Sequence, residues 1–114
     1  MREPEFLLAR GSSPVLRLGL PLTPAAGDVI YVTVSQERGP VLEYQRNGTP
    51  APQPPTGTLA ISGKGLALTM TQGDTLRLER GDCRLQLRLR RGAHADTFLP
   101  LWGYVVGTEK EGEI

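Results

Sequence analysis

The side chains that could take part in catalysis are few. His94 is the one histidine, and Asp96 follows two residues later, so on a strand both would lie on the same face. Together with a serine or with Cys83, the single cysteine, they could form a nucleophilic triad. We favour a simpler interpretation, in which His94 is a solvated loop residue and Cys83 is a small buried hydrophobe. The sequence therefore predicts a protein that is not an enzyme.

Other kinds of reactive site have no better support. A single histidine and a single cysteine argue against a Cys/His zinc site. No spacing singles out a pair of carboxylates for glycoside chemistry. The glycines lie between predicted strands, whereas a phosphate-binding loop leads from a strand into a helix. We therefore predict no catalytic residue, no metal site and no cofactor.

Arginine is concentrated in the segment 77–91. A functional interpretation is a face that contacts an anionic partner, and the alternative, which we favour, is a solvated sheet face or a charge-protected edge strand. Proteins that bind single-stranded nucleic acid interleave aromatic side chains for base stacking. The segment has none, and the net charge is only +1, which argues against nucleic acid as the partner. The candidate interaction face consists of Arg77, Arg84, Arg88, Arg90 and Arg91.

Two aromatic residues are candidate contacts of a different kind. A module that binds carbohydrate or peptide needs exposed aromatic side chains, and Trp102 and Tyr104 are the candidates. Both fall in the last predicted strand, where we expect them to be buried.

Apolar and polar residues alternate along most of the chain, as in strands with one packed face and one wet face. With 14 glycines and 10 prolines in 114 residues, this pattern predicts a single all-β domain, an antiparallel sandwich of seven to nine strands with little or no helix. The link Met70–Thr75 could instead hold one helical turn. The predicted strands are Glu5–Arg10, Pro14–Leu20, Asp28–Gln36, Val41–Arg46, Thr58–Ser62, Leu66–Thr71, Thr75–Glu79, Cys83–Arg91 and Thr97–Val106, the last broken at Pro100 or Gly103.

Two segments stand apart from this pattern. Segment 49–57 holds four prolines and is predicted to be an exposed, polyproline-like loop. Its P-x-x-P spacing could serve as a docking peptide, but a stiff surface connector is the favoured interpretation. Segment 108–114 is an acidic tail. The N-terminus lacks a secretory signal and no apolar run approaches 18 residues, so we expect synthesis in the bacterial cytoplasm and no membrane contact.

The order of several segments resembles that of a known group of proteins. The chain is similar to small prophage-encoded proteins of gut Firmicutes, which look related in layout to the amino-terminal β-sandwich domain of phage baseplate upper proteins. The resemblance covers nearly the whole chain, and none of its motifs is catalytic. The segments that carry it are Phe6–Leu8 with Arg10–Pro14, Val32–Gln36, Leu68–Leu76, Gly81 with Arg84–Arg88, and Glu111–Ile114.

The resemblance implies an immunoglobulin-like sandwich and a structural role. We therefore expect a structural or assembly module of a phage particle, associated with the tail or baseplate, whose partners are other virion proteins or further copies of itself. The alternative is a β-sandwich that binds carbohydrate or protein, and binding of nucleic acid through the arginine face has less support.

Overall fold

The computed structural model describes residues 3–98, 100–110 and 112–114. Within these residues, nine strands and one short helix form a sandwich of two β-sheets. No helix in this part of the chain is long and apolar enough to cross a membrane. The elements are β1 (Phe6–Ala9), β2 (Val15–Gly19), β3 (Val29–Gln36), β4 (Gly39–Arg46), β5 (Thr58–Ser62), β6 (Gly65–Thr69), α1 (Gln72–Leu76), β7 (Gly81–Arg91), β8 (His94–Thr97) and β9 (Leu101–Val106).

The two sheets differ in size. The larger sheet has the order β1-β9-β7-β3-β4, and β8 pairs with the second half of β7. The smaller sheet has the order β2-β6-β5. The described strand pairs are antiparallel except for β1, which runs parallel to β9. The predicted all-β sandwich is confirmed.

The core lies between the inner faces of the two sheets. Leu85, Leu87 and Leu89 of β7 are all buried, as their alternation predicted. They lie in register with the inward residues of β3, so that Leu87 is directly opposite Val32. Leu66 and Leu68 of the smaller sheet complete the same cluster. The alternation of apolar and polar residues along β7 therefore predicted its inner face correctly.

The predicted strand Thr75–Glu79 is wrong, because the helix α1 occupies its first residues. The helix begins after Thr71, whose side chain accepts a hydrogen bond from the Asp74 backbone N–H, while the Asp74 carboxylate accepts from the Thr71 N–H. This reciprocal capping satisfies donors that a helix start otherwise leaves unpaired. The single helical turn that the sequence allowed is thus the observed structure.

The predicted strand Thr97–Val106 is interrupted, as expected, but only on the Pro100 side. It forms the end of β8 and all of β9, and Gly103 lies inside β9. A Cβ at Gly103 would come within 2.3 Å of the Phe6 ring, so the glycine lets that ring pack on the sheet. Residue 99, which belongs to the break, lies outside the described residues.

The proline-rich loop 49–57 contains no strand and runs beside β4 and β5. Pro50, Pro52 and Pro54 are exposed. The loop is attached at its end, where the Thr56 and Gly57 backbone N–H groups donate to the Asp74 carboxylate at 2.8 and 2.9 Å. At its start, the Thr49 N–H donates to Tyr31 Oη at 2.9 Å, so the loop is anchored at its two ends and not through its prolines.

Replacing Pro50–Pro55 by a Gly/Ser linker of equal length should leave the fold intact. We expect a loss of about 1–3 kcal/mol in the free energy of unfolding, because the freer unfolded chain gains entropy. Gly57→Ala should cost more than this whole replacement, since its Cβ would lie 2.1 Å from the Thr69 carbonyl oxygen. Urea denaturation of both variants measures the two losses of stability. A linker variant that does not fold would contradict the prediction.

Candidate interaction surface

The outer face of the larger sheet carries the arginines of β7. Because alternate residues of β7 are buried, Arg84, Arg88 and Arg90 point away from the core and are exposed. The register places Arg84 beside Trp102 of β9 and Arg88 beside Thr97 of β8. The sequence prediction of an arginine-bearing sheet face holds for these three residues.

Each of the three guanidinium groups has a neighbour. The Arg84 guanidinium lies 6.0 Å from the centre of the Trp102 ring, within the range of a cation–π contact. Arg88 Nε donates to Thr97 Oγ1 at 3.1 Å, and Arg90 donates to the Gly92 carbonyl at 3.2 Å. These exposed contacts are individually weak, so they orient the arginines without removing them from solvent.

The other two predicted members of this face lie elsewhere. Arg77 follows the helix, and its guanidinium donates to the Val41 carbonyl of β4 at 3.0 Å. Arg91 is in phase with the buried residues of β7 and binds the buried Asp28 carboxylate with two nitrogens, at 2.9 and 2.7 Å. The Arg91 hydrogen bond, with that from the Ala25 N–H, lowers the pKa of Asp28 to about 2. Arg77 therefore links the end of the helix to β4, and Arg91 links β7 to Asp28. Neither arginine belongs to the outer face.

An apolar row lies beside the arginines on the same face. Tyr104 is 41% exposed, which contradicts the expected burial, because it alternates outward with Trp102 on β9. Parallel pairing sets Leu7 of β1 next to Tyr104, and Leu7 is 61% exposed. Val106, also exposed, continues the row. Sequence reasoning missed Leu7 and Val106, since no local signal shows that the first and last strands are neighbours.

A cleft of about 700 Å³ opens next to the Arg84–Trp102 pair. The turn between β3 and β4 forms one wall, and the segment leading into β7 forms the other. Gln36 joins the walls, since its amide both donates to the Glu79 carbonyl at 2.7 Å and accepts from the Glu79 N–H at 2.9 Å. Charges of both signs line the cleft, namely Glu37, Arg38, Glu79, Arg80, Asp82 and Arg84.

Of the residues considered for catalysis, Cys83 is far from His94 and Asp96. His94 lies on strand β8 and not in a loop, and it contacts Asp96 at 3.2 Å with both side chains exposed. His94 pairs with Arg91, while Cys83 lies eight residues earlier on β7, about 26 Å away at the usual rise of a strand. Burial raises the pKa of the Cys83 thiol to about 11. This arrangement does not form a Cys-His-Asp triad.

Among the residues that the structure describes, no group of three or more histidine, cysteine, aspartate or glutamate side chains is placed to hold a metal ion. The Asp74 carboxylate is buried and accepts from Tyr44 Oη at 2.8 Å as well as from the loop and the helix start. Burial alone would raise its pKa, but these donors outweigh burial and lower it. The Asp74 site is a structural junction between loop, helix and β4.

The outer face of the larger sheet therefore combines three arginines, an indole and an apolar row.

No model of a protein family matches the chain. No curated protein matches it either. The end of the acidic tail contacts other parts of the fold, since Gly112 packs against Gly11 and the Ile114 N–H donates to Gln72 of α1. Glu111 of that tail is outside the described residues.

Proposed function

We propose that this chain is a non-enzymatic structural or assembly module of a phage or prophage particle, associated with its tail or baseplate. It is made in the bacterial cytoplasm and then incorporated into the virion. The resemblance of its segment order to prophage-encoded proteins is one support. The second is the outer face of the larger sheet, which has the composition of a protein-binding surface.

The observation that carries the proposal is the apolar row beside the arginines. Tyrosine, tryptophan and arginine are the residue types most enriched in protein interfaces, and a contiguous exposed apolar patch commonly marks one. Leu7, Tyr104 and Val106 form such a patch, flanked by the Arg84–Trp102 pair. A neighbouring virion protein or another copy of this chain would bury the row and place its own acidic groups against Arg84, Arg88 and Arg90.

The cleft favours a second candidate function, the binding of carbohydrate or peptide. Trp102 lies on one side of it, and the carboxylates of Glu79 and Asp82 could accept hydrogen bonds from sugar hydroxyls or peptide N–H groups. Titration of the Trp102 fluorescence with soluble glycans separates this candidate from assembly. A saturable change that Asp82→Asn abolishes would favour the binding module.

Association of this chain should depend on salt. We expect the wild type to sediment as more than a monomer at high micromolar concentration in about 50 mM salt and to dissociate towards 500 mM, because screening weakens the contribution of the arginines. The triple variant Arg84→Glu, Arg88→Glu, Arg90→Glu should be monomeric at both salts. A double variant at two exposed lysines of other surfaces, Lys64→Glu with Lys110→Glu, is the matched control and should behave as the wild type. Monomers throughout would exclude self-association.

The structural role itself is tested on particles. In a strain that carries the gene on an inducible prophage, gradient-purified particles should contain the chain at a fixed ratio to the major tail protein. The triple arginine variant should be absent from particles although it is made and folded. Complete particles that lack the wild-type chain would overturn the proposal.

A further inference from the structure

The smaller sheet leaves one side of the sandwich uncovered. It has three strands in the order β2-β6-β5, and they face a larger sheet of six. β2 is an edge strand, and Leu85 and Leu87 of β7 lie in the layer beneath it. The larger sheet continues past β2 through Phe98 and Leu101, which are only partly buried against the core. The unoccupied edge therefore lies above apolar side chains.

The backbone of this edge is free to form a further ladder. Leu20 N–H donates to the Lys64 carbonyl at 2.7 Å, and Met70 N–H donates to the Pro14 carbonyl at 2.9 Å. In an antiparallel pair these bonds recur at every second residue, so Val15, Arg17 and Gly19 direct their N–H and C=O groups away from β6. Within the described residues, no backbone hydrogen bond reaches these three from outside the smaller sheet. These three residues therefore offer three N–H and three C=O groups to a further strand, along about 13 Å of β2.

A slot of about 300 Å³ runs beside this edge. It lies between Leu18 and Leu20 on the β2 side and Leu87, Phe98 and Leu101 on the floor. An apolar cavity of about 150 Å³ in a protein holds a benzene molecule, so this slot has room for about two leucine-sized side chains. Arg17 is the charged residue of its lining, and it is exposed.

These features favour one kind of occupant, a single extended strand. A complete second sandwich would have to place its own larger sheet in the layer that Phe98 and Leu101 already occupy. The C-terminal residues of this chain are held elsewhere, with the Ile114 N–H on Gln72. One strand would pair with β2, turn apolar side chains into the slot at alternate positions and leave one side chain opposite Arg17. Charge complementarity requires that side chain to be acidic.

We propose that the open edge of β2 accepts an extended segment of a partner protein, with alternating apolar residues that fill the slot and an acidic residue opposite Arg17. The segment becomes the fourth strand of the smaller sheet. This surface is the edge of the smaller sheet, whereas the arginine face is the outer face of the larger sheet, and the inference does not rest on the proposed function.

A peptide with the sequence Lys64–Thr71 and the change Ala67→Glu is the probe. In β6 this sequence already pairs with β2 in a register that sets residue 67 opposite Arg17 and the leucines towards the core. We expect saturable binding to the wild-type protein, and binding about threefold weaker for the same peptide with Ala67→Lys. Arg17→Pro should weaken binding at least tenfold, because it removes an N–H that points to the open edge and not to β6.

Amide hydrogen exchange of the wild type gives the second readout. In the free protein the Val15, Arg17 and Gly19 amides should exchange rapidly while those of Leu16 and Leu18 are protected. The peptide should slow the first three at least tenfold. Protection of those three amides in the free, dilute protein would overturn the proposal, as would a peptide that leaves them unprotected. If protection of these amides rises with protein concentration in the absence of peptide, the strand that pairs with β2 comes from a second copy of this chain and not from a partner protein.

Discussion

Asp74→Asn should lower the free energy of unfolding by about 3–5 kcal/mol, since it leaves donors around this buried side chain without an acceptor. Asp74 Oδ1 accepts from the Thr56 N–H, and Oδ2 accepts from the Gly57 N–H and from Tyr44 Oη. The side-chain amide of an asparagine can be placed in two orientations. In each of them its NH2 group would face one of these backbone N–H donors, which would then lack an acceptor. Urea denaturation, with the slope used to check cooperativity, measures the loss.

Two control variants show whether the network is responsible. Tyr44→Phe removes one donor and leaves the others in place, so it should cost about 1–3 kcal/mol and less than Asp74→Asn. Asp82→Asn changes an exposed carboxylate of β7 and should stay within about 0.5 kcal/mol of the wild type. Equal effects of Asp74→Asn and Asp82→Asn would contradict the assignment of Asp74 as a structural junction.

The same carboxylate predicts how stability changes with pH. The folded-state pKa of Asp74 lies below its unfolded value of about 3.9, so its contribution is present above that pH and is lost as the pH falls towards the folded pKa. Asp28, with a folded-state pKa of about 2, acts in the same direction. Wild-type stability should therefore fall between about pH 4 and pH 2. The fall should be smaller in Asp74→Asn and in Asp28→Asn, and an unchanged fall in both would contradict this origin.

Leu87→Ala should cost about 2–5 kcal/mol, as the removal of buried leucine side chains does in other cores. Leu87 is buried in the centre of the larger sheet, opposite Val32. Its chain neighbour Arg88 points outward and contacts Thr97, so Arg88→Ala should cost less than about 1 kcal/mol. The two variants change adjacent residues of one strand, and denaturant melts measure the loss of stability in each. Equal costs would contradict the inner and outer faces assigned to β7.

The strands of this protein follow from local patterns in its sequence. Alternation marks the inward residues of β3, β6 and β7, because successive side chains of a strand leave opposite faces whatever the strand pairs with. The turn at Gly63–Lys64 and the exposed proline loop follow from residues that favour or forbid particular backbone conformations. The predicted strand Thr75–Glu79 is wrong because Gly73 disfavours a helix locally, whereas the capping bonds between Thr71 and Asp74 stabilise one there.

The candidate site depends on contacts that no local pattern contains. Arg91 reaches Asp28 across 63 residues, which removes it from the arginine face that its position in the sequence implied. Leu7 and Tyr104 meet because the first strand lies parallel to the last. Apart from α1 and β8, the sequence by itself determined which segments are strands and which of their faces are apolar, since both are properties of neighbouring residues. Tertiary structure alone decided which strands pair, and therefore which edge stays open and which side chains share the outer face, because pairing depends on the packing of the whole chain.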